Sequence, residues 1–307
     1  MFAGLKKLAI VALLVAISPL GHADTYTQTR YPFAMVHGWM GWSNLAGVLN
    51  YWYGITDEMR AGGATVYVAN VSSSNSTEIR GEQFIKQLDN WRAMYGHTKF
   101  NLIGHSHGGP TSRYVASVRP DLVASVTTIA SPTSGIAIAD YLTKNSSQPQ
   151  SILATTFLSL LGRTQNVLQG SVGYPIDPSA AINSLNTAGA SAFAQRHPQG
   201  LPSTPCGQGA PTVNSINYYS ISGTSVITNI LDPFDAVAIT LGSLLNGVQH
   251  DGLIERCQSH LGVVVRDNYP WNHFDEINQL YGLRGLFSPD PKAFYRSHAN
   301  RLKNAGL

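Results

Sequence analysis

Charged side chains are scarce in this 307-residue chain: Asp, Glu, Lys and Arg together make up 12% of it, about half the share usual in a soluble domain. Ser, Thr, Asn, Gln and Gly fill the polar surface instead. The formal charge of +3 falls to about +1 without Lys6 and Lys7. So weak a basic excess excludes nucleic-acid binding by bulk electrostatics. Cysteine is scarcer still, with two residues. That number and the distance between Cys206 and Cys257 exclude a cysteine-ligated zinc site and a CxxC redox pair. No apolar run approaches the roughly 20 residues of a membrane-spanning helix. Internal repeats and low-complexity linkers are also missing.

What the sequence does have begins with its first residues. Lys6 and Lys7 precede an apolar run over 8–17, a Ser18-Pro19 break and Gly21-His22-Ala23. This is the charge, apolar core and small-residue order of a secretory signal. The sequence therefore predicts a signal peptide over 1–23, export, a mature chain over 24–307 and no membrane anchor. In an oxidising compartment, Cys206 and Cys257 are most simply one disulfide. Closing that loop of about 50 residues removes chain entropy worth roughly 4 kcal/mol. Two free buried thiols are the alternative.

Apolar runs and helix-like stretches then alternate, as in an α/β fold built as one domain. Strand character marks residues 31–36, 65–71, 99–103, 122–130, 218–222 and 262–266. Helical spacing marks 44–53, 78–95, 111–118 and 291–303. Between about 136 and 201 the alternation stops, and Ser, Thr, Asn and Gln surround helical islands. In one island Ile152, Leu153, Phe157, Leu160 and Leu161 share a face, with Leu158 off it. That helix reads either as an ordinary surface helix or as a lid over an apolar site.

The run Gly104-His105-Ser106-His107-Gly108 is the most informative segment. It fills a G-x-S-x-G frame between a strand and a helix, which places Ser106 at the apex of a strained turn. A serine there has an exposed hydroxyl beside a helix N-terminus whose free N–H groups can face developing negative charge. A Gly-rich turn without chemistry is the alternative.

A serine nucleophile needs a base, and the base needs an acid to orient it. In serine hydrolases of this type the chain order is serine, acid, histidine. His273 follows the strand at 262–266 by a short turn and fits the base. His250 competes, His197 lies in the irregular insert, His260 precedes the strand, and His298 reads as a surface residue of the last helix. Asp251, in a His-Asp-Gly turn, fits the acid, although an Asp-Gly turn needs no catalytic role. Asp232, Asp235, Glu255 and Asp267 are rivals. The oxyanion N–H groups fall to His107, after the nucleophile, and to Trp39, in the turn after the first strand. His37 and His105 read as structural.

Taken together, Thr25–Pro32, the His37-Gly38 turn, Arg80-Gly81-Glu82-Gln83, Gly104–Gly109, Asp267-Asn268-Tyr269 with Asn272-His273, and Arg301–Leu307 resemble the secreted Pseudomonas-type bacterial triacylglycerol lipases. The resemblance runs from the start of the mature chain to its last residue. It implies an α/β-hydrolase fold with a mostly parallel central sheet, helices on both faces and a helical lid insert. It implies hydrolysis of acylglycerol esters at a lipid–water interface by Ser106, Asp251 and His273. Trp39 and His107 would donate to the oxyanion, and Cys206 would pair with Cys257. It also implies one structural calcium ion on Asp232, Asp275, Gln279 and the Leu283 carbonyl, a hard cation on oxygen ligands. A dedicated foldase chaperone, passage through the periplasm to the extracellular medium and a monomeric state are further expectations.

Two positions depart from that pattern. Trp39 stands where a smaller apolar residue is usual, and its indole would narrow the acyl groove. Ser131-Pro132-Thr133 lacks the usual basic pair after the proline. The alternatives to a lipase are a soluble carboxylesterase and a non-catalytic α/β-hydrolase domain used for binding.

Overall fold

A computed structural model describes residues 24–204, 206–245 and 247–307; the expected signal peptide lies outside them. The strands are β1 (Phe33–Val36), β2 (Asn44–Leu45), β3 (Leu49–Asn50), β4 (Val66–Val68), β5 (Phe100–His105), β6 (Val123–Ile129), β7 (Thr212–Val213), β8 (Ile216–Gly223) and β9 (Val263–Tyr269). Seven of them form one sheet in the order β4-β1-β5-β6-β8, with both β7 and β9 paired to β8. Every pairing is parallel except that of β7, which runs antiparallel to the start of β8. The two-residue strands β2 and β3 make a separate hairpin.

Alternation along the strands explains why both faces are covered. Phe33 and Met35 of β1 join one core with Ile103, Ile129 and Ile221. Helices α1 (Ile55–Ala61) and α9 (Pro291–Asn304) close that face through Ile55, Met59, Phe294 and Leu302. Ala34 and Val36 point the other way, into a core with Leu102 and Val126. There α2 (Thr77–Tyr95) and α3 (Gly108–Val118) supply Phe84, Leu88 and Val115. A parallel sheet buried on both faces is the expected home of such uniformly apolar strands.

Between β6 and β7 lie α4 (Ala137–Lys144), α5 (Pro149–Leu168), α6 (Pro178–Leu185) and α7 (Thr187–Arg196). These are the helical islands of the insert. They form a core of their own around Ile136, Leu142, Ile182 and Leu185, onto which Trp39 packs. The helix α8 (Pro233–Gly242) follows β8. Cys257, between α8 and β9, is disulfide-bonded to Cys206, between α7 and β7, and their Cα atoms are 4.5 Å apart.

Three sequence expectations fail on tertiary contacts. Residues 44–53 are not a helix but the β2–β3 hairpin, turned at Ala46 and Gly47, both with positive φ. Tyr51 and Trp52, just past the hairpin, enter the core with their rings edge to face. His298 is not at the surface. It is buried, and its Nε2 bonds Thr127 of β6 at 2.8 Å, so it docks the last helix on the sheet. On α5, the half-buried Leu158 lines the cavity together with the more exposed Phe157 and Leu161, whereas the exposed Ile152, Leu153 and Leu160 do not line it.

The disulfide closes a 51-residue separation. Reducing it, or replacing both cysteines by serine, should cost about 2–4 kcal/mol of stability. Chemical denaturation with and without reductant reads this directly, and an unchanged midpoint would refute a stabilising role.

Candidate active site

The turn after β5 is shaped by backbone contact. Ser106 has φ 53°, a left-handed conformation that is strained for a residue with a side chain. Its N–H is held by the Ile129 carbonyl and its own carbonyl by the Gly109 N–H, both at 2.9 Å. A Cβ at Gly104 would run into the Gly108 carbonyl, and one at Gly108 into the Val36 carbonyl. The G-x-S-x-G frame is thus a steric requirement: β1, β5 and α3 touch where the serine is presented. Ser106 lines a cavity of about 580 Å³ beyond the carboxyl ends of the parallel strands, the place where α/β sheets bind ligands.

His273 lines the same cavity. Its Nδ1 lies 2.8 Å from Asp251 Oδ2, and its N–H donates to the Asp251 carbonyl at 2.9 Å. The other carboxylate oxygen of Asp251 accepts from the Leu253 and Ile254 N–H groups. The acid is therefore buried and fully engaged, and it fixes Nδ1 as the protonated nitrogen. Nε2 keeps its lone pair, the state a general base requires.

The rivals go elsewhere. Asp235 accepts from Thr228, Asn229 and Asn272. Asp267 pairs with Arg256 and His260. His250 Nδ1 accepts from the Gly252 N–H, and His197 ends α7.

A hydrogen-bond chain joins the turn after β1 to the His273 loop. The Gly38 N–H donates to the Tyr51 hydroxyl at 3.0 Å, and that hydroxyl bonds His105 Nδ1 at 2.7 Å. His105 Nε2 reaches the His273 carbonyl at 3.0 Å. A carbonyl only accepts, so Nε2 carries the proton and Nδ1 accepts from Tyr51. Burial holds the His105 pKa well below the ordinary value, which keeps the ring in this neutral form. No local sequence signal marks Tyr51, because its partners lie far away along the chain.

Arg80 supports the same turn from below. Its buried guanidinium donates to the carbonyls of His37 and Ser72 and to Thr111 Oγ1. Burial lowers its pKa to about 9. His37, brought down to about 3 by burial, places Nδ1 2.9 Å from the Gly38 carbonyl and Nε2 3.2 Å from the Val71 carbonyl; the neutral ring donates to one of the two. Among the described residues, no hydrogen-bond acceptor meets the N–H of Trp39 or of His107. The Trp39 indole donates to Ser74 Oγ at 2.8 Å while its ring lines the cavity. Thr133, where a basic pair was expected, instead donates to the Gln258 carbonyl beside Cys257.

Leu142, Leu158, Leu161, Phe234, Leu241 and Phe274 make the cavity wall apolar. The α5 helix forms part of the wall and is tied down at its C-terminal half. Gln165 Nε2 donates to the Met40 carbonyl at 2.8 Å, the Ala46 N–H to the Leu168 carbonyl, and the Ser43 N–H to Gln169 Oε1. Its buried residues are Ser151, Gly162, Gln165 and Asn166.

Next to the His273 loop, Asp232 Oδ2, Asp275 Oδ1 and Gln279 Oε1 are buried without a hydrogen-bond partner. Burial raises the Asp232 pKa and pushes Asp275 up to about 7, with Asp232 and Asp235 adding repulsion. Buried oxygen acceptors lacking both donor and counter-charge suit a hard cation. His105, His273 and Glu276 also bring ligand atoms within 4.8 Å of one another. Both His105 nitrogens and one of His273 are already engaged, so that trio is a buried network and not a metal centre. Burial, with Asp251 nearby, raises the Glu276 pKa well above the ordinary value. Sequence reasoning missed this residue.

A family model described as the alpha/beta hydrolase fold matches residues 31–277. A triacylglycerol lipase of Vibrio cholerae serotype O1 is 49% identical over 291 residues, covering 92% of this chain and 90% of its own. A triacylglycerol lipase of Pseudomonas fragi is 38% identical over 92% of this chain and 100% of its own. This chain belongs to the bacterial triacylglycerol lipase family of α/β hydrolases.

Among solved structures, the Staphylococcus hyicus lipase superposes with a TM-score of 0.62 at 17% identity, covering 91% of this chain and 97% of its own. At that identity the likeness speaks for the fold alone. Within the lipase family framework, Tyr51 is the residue whose loss separates support from chemistry. Tyr51→Phe strands the Gly38 N–H and His105 Nδ1, which should cost roughly 2 kcal/mol. We expect a lower melting temperature together with a kcat reduced at least tenfold, measured on a soluble ester. An unchanged kcat would show that the chain of bonds does not position the site.

Proposed function

We propose that this chain is a secreted triacylglycerol lipase working through an acyl-serine intermediate. The observation that carries the reading is the His273–Asp251 pair at 2.8 Å, sharing one apolar cavity with a strained Ser106. The Ser106 hydroxyl attacks the ester carbonyl while His273 Nε2 takes its proton. Asp251 stabilises the imidazolium, and the Trp39 and His107 N–H groups bind the tetrahedral oxyanion. The imidazolium then protonates the departing glycerol oxygen, and water repeats the sequence on the acyl-enzyme.

The apolar wall favours long acyl chains over small soluble esters. Export is supported by the signal-like first residues and by the disulfide; among the described residues no helix is long and apolar enough to cross a membrane. Asp232, Asp275, Gln279 and the Leu283 carbonyl would hold one calcium ion, which would neutralise the two buried carboxylates. Asp275 lies two residues beyond His273, so holding it also holds the loop that carries the base.

Ser106→Ala should lower kcat by about 10⁶-fold while leaving the circular dichroism spectrum unchanged; retained turnover of triglyceride emulsion would refute the nucleophile. Chelation should remove ligand-linked stability and lower Tm by roughly 5 °C. Differential scanning calorimetry in EDTA, with calcium added back, tests this, and an identical Tm in all three samples would eliminate the ion.

A further inference from the structure

Among the described residues, the three most exposed large apolar side chains, Phe287, Ile230 and Leu286, lie on two adjoining loops, with Leu231 beside Ile230. Phe287 is 94% exposed, Ile230 92%, Leu286 89% and Leu231 75%. The loops are fastened to each other: Asn229 Nδ2 donates to the Arg284 carbonyl at 3.1 Å, and Gly285 lies against the Thr228 carbonyl. The first loop is also fastened to α8, since Asp235 accepts from the Thr228 and Asn229 N–H groups at 2.7 and 2.8 Å. These side chains are held outward on a braced support, in the kind of contiguous patch that marks an interaction site.

The neighbourhood specifies the partner. The α8 helix begins at Pro233, directly after Leu231 and Asp232, and its Phe234, Val237 and Leu241 line the cavity. The patch therefore continues the wall that receives acyl chains. Arg284 is the one ionisable residue in 227–231 and 282–288, and it faces Asp290 at 3.6 Å. A patch with so little free charge fits a neutral, oily surface better than a charged protein.

We propose that 227–231 and 284–287 form a fixed lipid anchor. Ile230, Leu231, Leu286 and Phe287 enter the acyl layer of an acylglycerol surface and hold the α8 side of the cavity against it. This anchor is separate from α5. The proposal rests on the lipase reading above.

Binding is measured in a Ser106→Ala background, so that lipid is not consumed and the result is independent of hydrolysis. The probe is a phosphatidylcholine vesicle containing trioleoylglycerol. Because the native cysteines are paired with each other, Phe287→Cys can carry an environment-sensitive fluorophore. Its emission should brighten and shift to the blue on vesicles, while the same label on Met94→Cys, an exposed site of α2, should not respond. Leu286→Ser with Phe287→Ser should weaken vesicle partition at least tenfold. In the Ser106 enzyme the same pair should leave turnover of dissolved p-nitrophenyl butyrate within about twofold. An unresponsive label at 287, an equal response at 94, or unchanged partition of the double variant would each overturn the anchor. So would reduced secretion of a double variant that still binds vesicles normally, because that outcome assigns the patch to a protein partner such as a foldase. If the unsubstituted enzyme fails to turn over dissolved p-nitrophenyl butyrate, the hydrolase reading falls, and the vesicle measurement still decides the anchor.

Discussion

Three backbones must touch for Ser106 to stand where it does. Gly104 leaves room for the Gly108 carbonyl, and Gly108 leaves room for Val36 of the neighbouring strand. Side chains at these two glycines would push β1, β5 and α3 apart and relax the serine out of its left-handed conformation. The cost of that conformation, of order 1–3 kcal/mol, is offset by the packing of both faces of the sheet. The rigidity of the sheet and the exposure of the hydroxyl are therefore one constraint.

Around that turn the molecule keeps its polar groups neutral and bonded. His37 and His105 are buried uncharged; both ring nitrogens of His105 are bonded, and the one N–H of His37 serves one of the two carbonyl oxygens beside it. Arg80 is the exception, a buried cation whose bonds go to carbonyl and hydroxyl oxygens rather than to a carboxylate. Its positive field, close to the turn after β1, is of the sign that favours an oxyanion. On the other side, Asp232, Asp275 and Glu276 crowd buried carboxyl groups under the loop that carries His273. The site is polarised across the serine, with donors and a cation on one side and carboxyl groups on the other.

Much of this was legible in the sequence because it is local. The Ser106 turn, its flanking strand and helix, and the strand–helix alternation follow from spacing within short windows. Chain order and turn chemistry offered Asp251 and His273 among several rivals, and the family resemblance selected the two, which pair over a separation of 22 residues. Tyr51 and Glu276 were not legible. Their importance comes from contacts made across the folded chain, such as Tyr51 with His105 over 54 residues. His298 was misread for the same reason: a helix face exposed in isolation is buried once α9 docks on β6. The hairpin at β2–β3 was misread as helix; the chain turns at Ala46 and Gly47, both with positive φ, which no helical residue adopts.

The bond from Gln165 to the Met40 carbonyl ties α5 to the residue next to Trp39. Any swing of α5 that keeps this bond must pivot about it, so the first turns of the helix sweep the widest arc. A swing that breaks it leaves the Met40 carbonyl without that donor, one residue from the N–H assigned to the oxyanion. A swing of α5 would therefore be felt in the turn that carries the Trp39 N–H while that amide remains in place.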